Sequence, residues 1–240
     1  MSECCRIIRD RAALIPLRRI FLLPIPTTRD NLTITGTETT LEELCLQISG
    51  GDGVAGYGIP EEIKKKLIYL GAKIYDGADD EDFLLQNADI TAKGTVGYLL
   101  TEYDRDISDL KIGIVGYGRI GSCLLRYLLY LGSDVTVFTT RDSVARELCE
   151  SGVSASVGVT DLSRQEVLLN TAPARLLADE EALEFMKRAR IIDLASGKIF
   201  PESENLVKMA SVPEKMYPTS AGKAYAERII KYFSEEGRLC

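Results

Sequence analysis

The residues with the clearest capacity for chemistry lie in Lys111-Ile-Gly-Ile-Val-Gly116-Tyr117-Gly118-Arg119-Ile120-Gly121, which leads into Leu124, Leu125, Leu128 and Leu129 at helical spacing. A strand pattern thus runs into G-x-G-x-x-G and then into a helix, and a second strand pattern, Asp134 to Phe138, follows at the distance of a βαβ unit. In that order Gly116 permits the tight turn, Gly118 lets a pyrophosphate approach the backbone at the helix N-terminus, and Gly121 lets the helix close on the strand. The chemistry to expect is dinucleotide binding; the alternative is a tight turn that holds no ligand. The same spacing recurs at Gly51-Asp52-Gly53-Val-Ala-Gly56, but Gly58 and Pro60 break the pattern that follows and Asp52 would repel phosphate. That stretch reads as an ordinary loop.

At the end of the second strand, where an NAD-binding unit carries an acid for the adenine ribose, the chain has Thr139-Thr140-Arg141. Two hydroxyls and a guanidinium suit a 2′-phosphate, which favours NADP, with NAD as the alternative cofactor. Asp142 is the one acid close by, and a helix-capping role would remove it from the comparison. The plain alternative for Arg141 is a solvated surface arginine. Two further loops follow strand patterns, Asn170-Thr171-Ala172-Pro173 and Asp193-Leu-Ala195-Ser196-Gly197. Ligands of doubly wound folds bind at such strand ends, so these loops are expected to line the nicotinamide side. For Asn170 and Asp193 the alternative is loop capping.

The elements that must position these residues alternate, short apolar run with amphipathic stretch, which predicts an α/β fold. The second part reads as a Rossmann doubly wound parallel sheet, with strands at 111–115, 134–138, 153–157, 167–169 and 190–194 and helices at 119–131, 142–150 and 179–188. The first part reads as a smaller α/β domain. Its strands are expected at 18–23, stopped by Pro24-Ile25-Pro26, and at 72–75, with a helix capped by Thr39 or Thr40 and another opened by Pro60. Val96, Leu99, Leu100 and Tyr103 predict a bridging helix over 91–103, with Gly94 and Gly97 one turn apart for close packing. A last helix, Ser220 to Phe233 within the segment 219–240, is expected to fold back onto the N-terminal part. The domains expected are therefore 1–90 with 219–240, and 91–218.

The chain has 240 residues, a net charge of −7 and no histidine. The acidic balance, without a basic stripe, argues against nucleic acid and anionic membranes as partners. Without histidine there is no Ser/His or Cys/His nucleophile pair and no common zinc site. Six scattered cysteines (Cys4, Cys5, Cys45, Cys123, Cys149, Cys240) form no Cys-x-x-Cys motif, no signal-peptide pattern opens the chain, and no apolar run is long enough to span a membrane. A soluble, reduced, cytoplasmic protein with no bound metal is the expectation.

Several short motifs occur together: Asn87-Ala-Asp-Ile-Thr-Ala-Lys-Gly94, the glycine loop, Leu169-Asn-Thr-Ala-Pro-Ala174, Ile192-Asp-Leu-Ala-Ser196 and Pro218-Thr-Ser-Ala-Gly-Lys223. In this order, over residues 18 to 233, the chain resembles the A subunits of bacterial dipicolinate synthase, a sporulation enzyme. The resemblance implies a Rossmann domain beside a flavodoxin-like domain. It also implies oxidation of dihydrodipicolinate to dipicolinate with NADP as hydride acceptor, a flavoprotein-like B-type partner subunit, and a homo-oligomer. It makes Ser196, Ser220 and Lys223 candidates for the catalytic cleft, with Thr27, Thr28 and Arg29 behind them; for Lys223 the alternative is a solvated helix lysine. The chain also departs from the family pattern. The flavodoxin-like domain is expected to be incomplete, lacking a first strand and helix; Lys93 stands where the family has Glu; the segments Gly197-Lys-Ile-Phe200 and Ser211-Val-Pro-Glu-Lys215 are altered. Two other readings stay open: a non-catalytic dinucleotide-binding assembly or regulatory subunit, and a different NADP-linked dehydrogenase on the same scaffold.

Overall fold

The computed structural model describes residues 2–175, 177–195, 197 and 199–236. In chain order the elements are α1 (Ser2–Asp10), β1 (Ile20–Leu22), α2 (Leu41–Gln47), β2 (Gly53–Gly56), α3 (Glu61–Tyr69), β3 (Lys73–Asp76) and α4 (Glu81–Glu102). There follow β4 (Lys111–Val115), α5 (Arg119–Tyr130), β5 (Asp134–Thr139), α6 (Asp142–Glu150), β6 (Ser154–Val157), β7 (Val167–Asn170) and α7 (Asp179–Met186). The last are β8 (Arg190–Asp193), β9 (Leu206–Lys208), α8 (Val212–Met216) and α9 (Pro218–Glu236). They form two compact units, the chain up to Asn87 together with the segment from Pro218, and Ala88–Tyr217.

In the first unit β1, β2 and β3 lie parallel in that order, with Val54 opposite both Phe21 and Ile74. Gly53–Gly56 is thus the central strand and not the loop expected of it. The reason is packing: a Cβ on Gly53 would stand 2.4 Å from Leu17 Cδ1, and one on Gly56 2.6 Å from Thr27 Oγ1. The glycines make room for the protein's own side chains. Asp52, read as a repellent for phosphate, is fully buried and takes Arg19 Nε and Nη2 at 3.1 and 2.6 Å and the Ser49 N–H at 2.9 Å. The Arg19 guanidinium holds its carboxyl well below the usual range.

One face of this sheet is covered by Leu41 and Leu44 of α2 and by Ile63 and Leu67 of α3. Of the two candidate caps it is Thr40 that opens α2, in a reciprocal box with Glu43: the Glu43 N–H bonds Thr40 Oγ1 at 3.1 Å and the Thr40 N–H bonds Glu43 Oε2 at 2.7 Å. On the other face α9 packs Tyr225, Ile229 and Phe233 over Ala55 and Tyr75, joined by Cys4 and Ile8 of α1. The helix α1 was not expected. Nine residues are too few to hold a helix alone, so its stability comes from α9, where a Cβ on Gly222 would stand 3.0 Å from Glu3 Cβ.

In the second unit six parallel strands run in the order β6-β5-β4-β7-β8-β9. Strand order reverses at β4, which makes the carboxyl end of β4 the switch point where such sheets bind ligands. Ile112, Ile114, Val137 and Leu169 pack with Leu124 and Leu128 of α5 and with Ala92, Val96 and Leu99 of α4; Leu168 and Ile191 pack with Phe185 and Met186 of α7. Each such fully buried aliphatic side chain stabilises the fold by about 1.5–3 kcal/mol.

The helix expected from residue 91 begins at Glu81 instead, where the Phe83 N–H bonds Asp80 Oδ1 at 3.1 Å. Asn87-Ala-Asp-Ile is interior to it: Ala88, Ala92, Val96 and Leu99 bury one face at three- and four-residue spacing, while Phe83, one turn earlier, is buried in the core of the first unit. Gly94 does serve close approach. A Cβ there would meet Val212 Cγ1 at 2.4 Å and Met216 Sδ at 3.2 Å, so the partner is α8, which with β9 occupies a stretch where the sequence pattern predicts no element. Among the described residues no helix is long and apolar enough to cross a membrane.

Candidate functional site

The glycine loop leaves β4 at Val115 and enters α5 at Arg119. Gly116 has φ +94°, open to glycine at little cost, and its N–H bonds the Phe138 carbonyl at 2.8 Å. Thr171, one residue past β7, braces the loop: its N–H bonds the Val115 carbonyl at 2.9 Å, and its hydroxyl lies 3.1 and 3.2 Å from the carbonyls of Val115 and Gly116. A Cβ on Gly121 would stand 2.2 Å from the Gly116 carbonyl oxygen, and one on Gly116 would stand 2.8 Å from Thr171 Oγ1. Packing inside the protein therefore accounts for both of these glycines.

It does not account for Gly118. Its backbone is extended (φ −96°, ψ −159°), and a Cβ there would meet nothing within 4 Å. As N-cap of α5 it also offers no side chain to the N–H groups of the first turn. A side chain at this point would fill the space in front of a helix N-terminus, the place where a pyrophosphate is held. The loop fits a dinucleotide.

Around it stand the other residues expected to bind the cofactor. Tyr117 and Ile120 pack partly into the core beneath the loop. Thr139 is buried at the end of β5, and its hydroxyl accepts the Arg141 N–H at 3.2 Å. Thr140 and Arg141 are exposed, and the Arg141 guanidinium donates to the Tyr117 carbonyl, across the glycine loop. Asp142 is the first residue of α6 and pairs with Arg146 one turn on, so its carboxylate is engaged along its own helix.

Asn170 and Asp193 are buried neighbours at the ends of β7 and β8. Asn170 Nδ2 donates to Asp193 Oδ1 at 2.8 Å and to the Ala172 carbonyl at 3.2 Å, and the Ala195 N–H reaches Asp193 Oδ1 at 3.2 Å. Ala172 and Ala195 are half-buried and Pro173 is exposed. Sequence reading set Thr171 on the nicotinamide side and missed its hold on the glycine loop, because that contact depends on β7 lying beside β4.

Ser196 lies outside the described residues. Ser220 and Lys223 belong to the first unit, exposed on α9, with Lys223 Nζ 3.8 Å from Glu227. In the same unit the Thr27 hydroxyl accepts the Tyr57 N–H at 2.8 Å, the Thr28 hydroxyl bonds Asp30 at 3.0 Å, and Arg29 is exposed. Lys93 is paired with Asp89 at 2.7 Å, and Asp89 also takes Arg126 and Tyr127. Burial pushes the Asp89 carboxyl up, but the bonds from Lys93 and Tyr127 outweigh it and hold the group low. A separate crevice of about 510 Å³ lies beside α7, lined by Val159, Leu162 and Phe185 under Glu180, Glu181 and Glu184. Its one arginine, Arg188, is committed to the carbonyls of Leu162 and Gln165, so this crevice does not suit a phosphate.

A family model described as "D-isomer specific 2-hydroxyacid dehydrogenase, NAD binding domain" matches residues 88–211. The dipicolinate synthase A subunit of Bacillus subtilis (strain 168) is 23% identical over 204 residues, 80% of this chain; the chain spans only 65% of that relative's length. Among solved structures, the dipicolinate synthase A subunit from Bacillus halodurans has a TM-score of 0.73 at 19% identity, covering 89% of this chain and 79% of that one. The NAD-complexed D-isomer specific 2-hydroxyacid dehydrogenase of Lactobacillus delbrueckii ssp. bulgaricus has a TM-score of 0.57 at 10% identity, covering 99% and 95%. At these identities the structures speak for the fold. The resemblance to dipicolinate synthase A subunits carried by the short motifs is met again over most of the chain.

Proposed function

Because this chain belongs to the D-isomer specific 2-hydroxyacid dehydrogenase NAD-binding domain family, we propose that it is an NADP-dependent oxidoreductase of the dipicolinate synthase type. Its reaction would be dihydrodipicolinate + NADP⁺ → dipicolinate + NADPH + H⁺. The observation that carries the reading is Gly118, a glycine that nothing in the protein's packing requires. NADP is preferred because Thr139, Thr140 and Arg141 stand at the end of β5 without a free carboxylate, and a guanidinium can bond a 2′-phosphate through two N–H groups. NAD is the competing cofactor.

Held by this loop, a nicotinamide dinucleotide would supply the hydride acceptor. The chain's own work is holding and orienting. The first turn of α5 supplies N–H groups to the pyrophosphate, with Gly116, Tyr117, Gly118, Arg119, Ile120 and Gly121 as the loop and Thr171 as its brace. Ala172, Pro173 and Ala195 line the nicotinamide side. Ser196, Ser220 and Lys223 are the proposed donors to the substrate's two carboxylates. Aromatisation makes the oxidation favourable, so orientation can supply most of the catalysis and the ring proton can pass to water or a carboxylate, consistent with a chain that has no histidine. We place the protein in the cytoplasm, as a homo-oligomer working with a B-type subunit.

The test is a pair of calorimetric titrations with NADP and NAD, followed by an assay with dihydrodipicolinate, NADP and a B-type subunit. Tight NADP binding and the appearance of dipicolinate absorbance are expected. Binding without turnover would favour the other reading, a dinucleotide-binding assembly or regulatory subunit.

A further inference from the structure

The pair Asn170 and Asp193 carries an inference about how this site is kept in shape. Both side chains are buried, at 1% and 2% exposure, and they stand on neighbouring strands at the same level as Val115, the last residue before the glycine loop. The Asn170 amide is oriented without ambiguity, because both groups it faces, Asp193 Oδ1 and the Ala172 carbonyl, are acceptors. Each of the two donations ties down a different piece of chain. One holds the turn that follows β7, and the other joins β7 to a carboxylate that itself holds the turn following β8 through the Ala195 N–H. Thr171, next to Asn170, in turn holds the glycine loop. Three loops at the carboxyl ends of β4, β7 and β8 thus share one hydrogen-bonded support.

We propose that Asn170 and Asp193 are positioning residues, which set the two loops beside the dinucleotide and do not themselves bond it. This deepens the dinucleotide-binding reading and rests on it. Both donor hydrogens of Asn170 are already engaged, and the Asp193 oxygen that faces Asn170 already accepts two bonds. What the pair needs is an acceptor at 193 and a donor at 170; a negative charge at 193 is not required.

That distinction supplies the test. In D193N the amide oxygen can still accept from Asn170 and Ala195, so NADP affinity should stay within about threefold of the unmodified chain. In D193A the acceptor is gone, and in N170D a second buried carboxylate faces the first, so affinity should fall by about tenfold or more in each. Hydrogen exchange at the Ala195 amide should speed up in D193A and not in D193N. The readouts are calorimetry with NADP and NAD, and amide exchange without any ligand. A D193N chain as weak as D193A would overturn the proposal, because the charge would then be touching the ligand. Unchanged affinity in D193A despite faster Ala195 exchange would overturn it too, and this measurement stands if N170D fails to fold. Should the unmodified chain bind neither dinucleotide, the functional reading falls and takes this inference with it.

Discussion

The chain carries the G-x-G-x-x-G spacing twice, once in each unit, and the two copies are used in opposite ways. In the first, a Cβ on Gly53 would strike Leu17 and Phe233, and one on Gly56 would strike Thr27 and Ile59. The amides around that strand end are satisfied from within: the Tyr57 N–H by Thr27, and the N–H groups of Gly58, Ile59 and Ala78 by Asp76. In the second copy the outer glycines answer to packing in the same manner, but the middle one, Gly118, faces open space at an uncapped helix N-terminus. Gly51 also has open space around it, but its φ of +84° accounts for the glycine, so a glycine motif points to a ligand only at a position that neither packing nor backbone conformation explains.

Two substitutions test that contrast most strongly. Gly118→Val should cost little stability, about 1 kcal/mol or less, since φ is negative and nothing lies within 4 Å, yet it should weaken dinucleotide binding by about a hundredfold or more. Thermal melts and calorimetry on the same sample separate the two effects; unchanged affinity would break the comparison. Gly53→Val should do the reverse, destabilising the protein by about 1–3 kcal/mol through overpacking while the folded fraction keeps its affinity. A stable Gly53→Val chain that has lost dinucleotide binding would mean that the first copy is a site after all.

Why one copy was legible in the sequence and the other was not follows from what surrounds each. Around Gly116 a five-residue strand and a twelve-residue amphipathic helix declare themselves by period alone. Gly53–Gly56 is a strand only because Val54 and Ala55 are paired on both sides and roofed by helices distant in sequence, so its burial is tertiary information. The same holds for α1, whose short apolar stripe gains meaning from Gly222, and for the first turns of α4, where a polar-looking Asn87-Ala-Asp segment sits inside a helix already committed by Phe83. At the candidate site the residue types were readable and their connections were not. Thr171 bracing the loop, Arg141 reaching the Tyr117 carbonyl and Asn170 joined to Asp193 all depend on strand order, which pattern does not fix.

A smaller effect sharpens what the second copy selects. Arg141→Asp should weaken NADP by about tenfold or more and NAD by less than about threefold, because the lost charge-assisted bonds are those to the 2′-phosphate. Fluorescence titrations with both dinucleotides measure it, and equal losses would show that Arg141 only braces the Tyr117 carbonyl.

The smallest expected effect concerns the first copy and its acidic supports. Burial pushes the Asp76 carboxyl up, but the bond from Lys64 and the N–H groups of Ala78, Ile59 and Gly58 outweigh it, so its folded pKa lies below the ordinary value; Asp52 is lowered by Arg19 in the same direction. A carboxylate with a depressed folded pKa stabilises the fold above its unfolded pKa, near 4, and that contribution disappears as pH falls through the folded value. Stability should therefore decline as pH drops below about 4, and the decline should be shallower in Asp76→Asn, which has no proton to take up there. Denaturant melts between pH 7 and pH 3 give the slopes. Equal slopes in both chains would mean that Asp76 is not what keeps the amides of Gly58 and Ile59 closed to a ligand, and the first copy would lose half of its explanation.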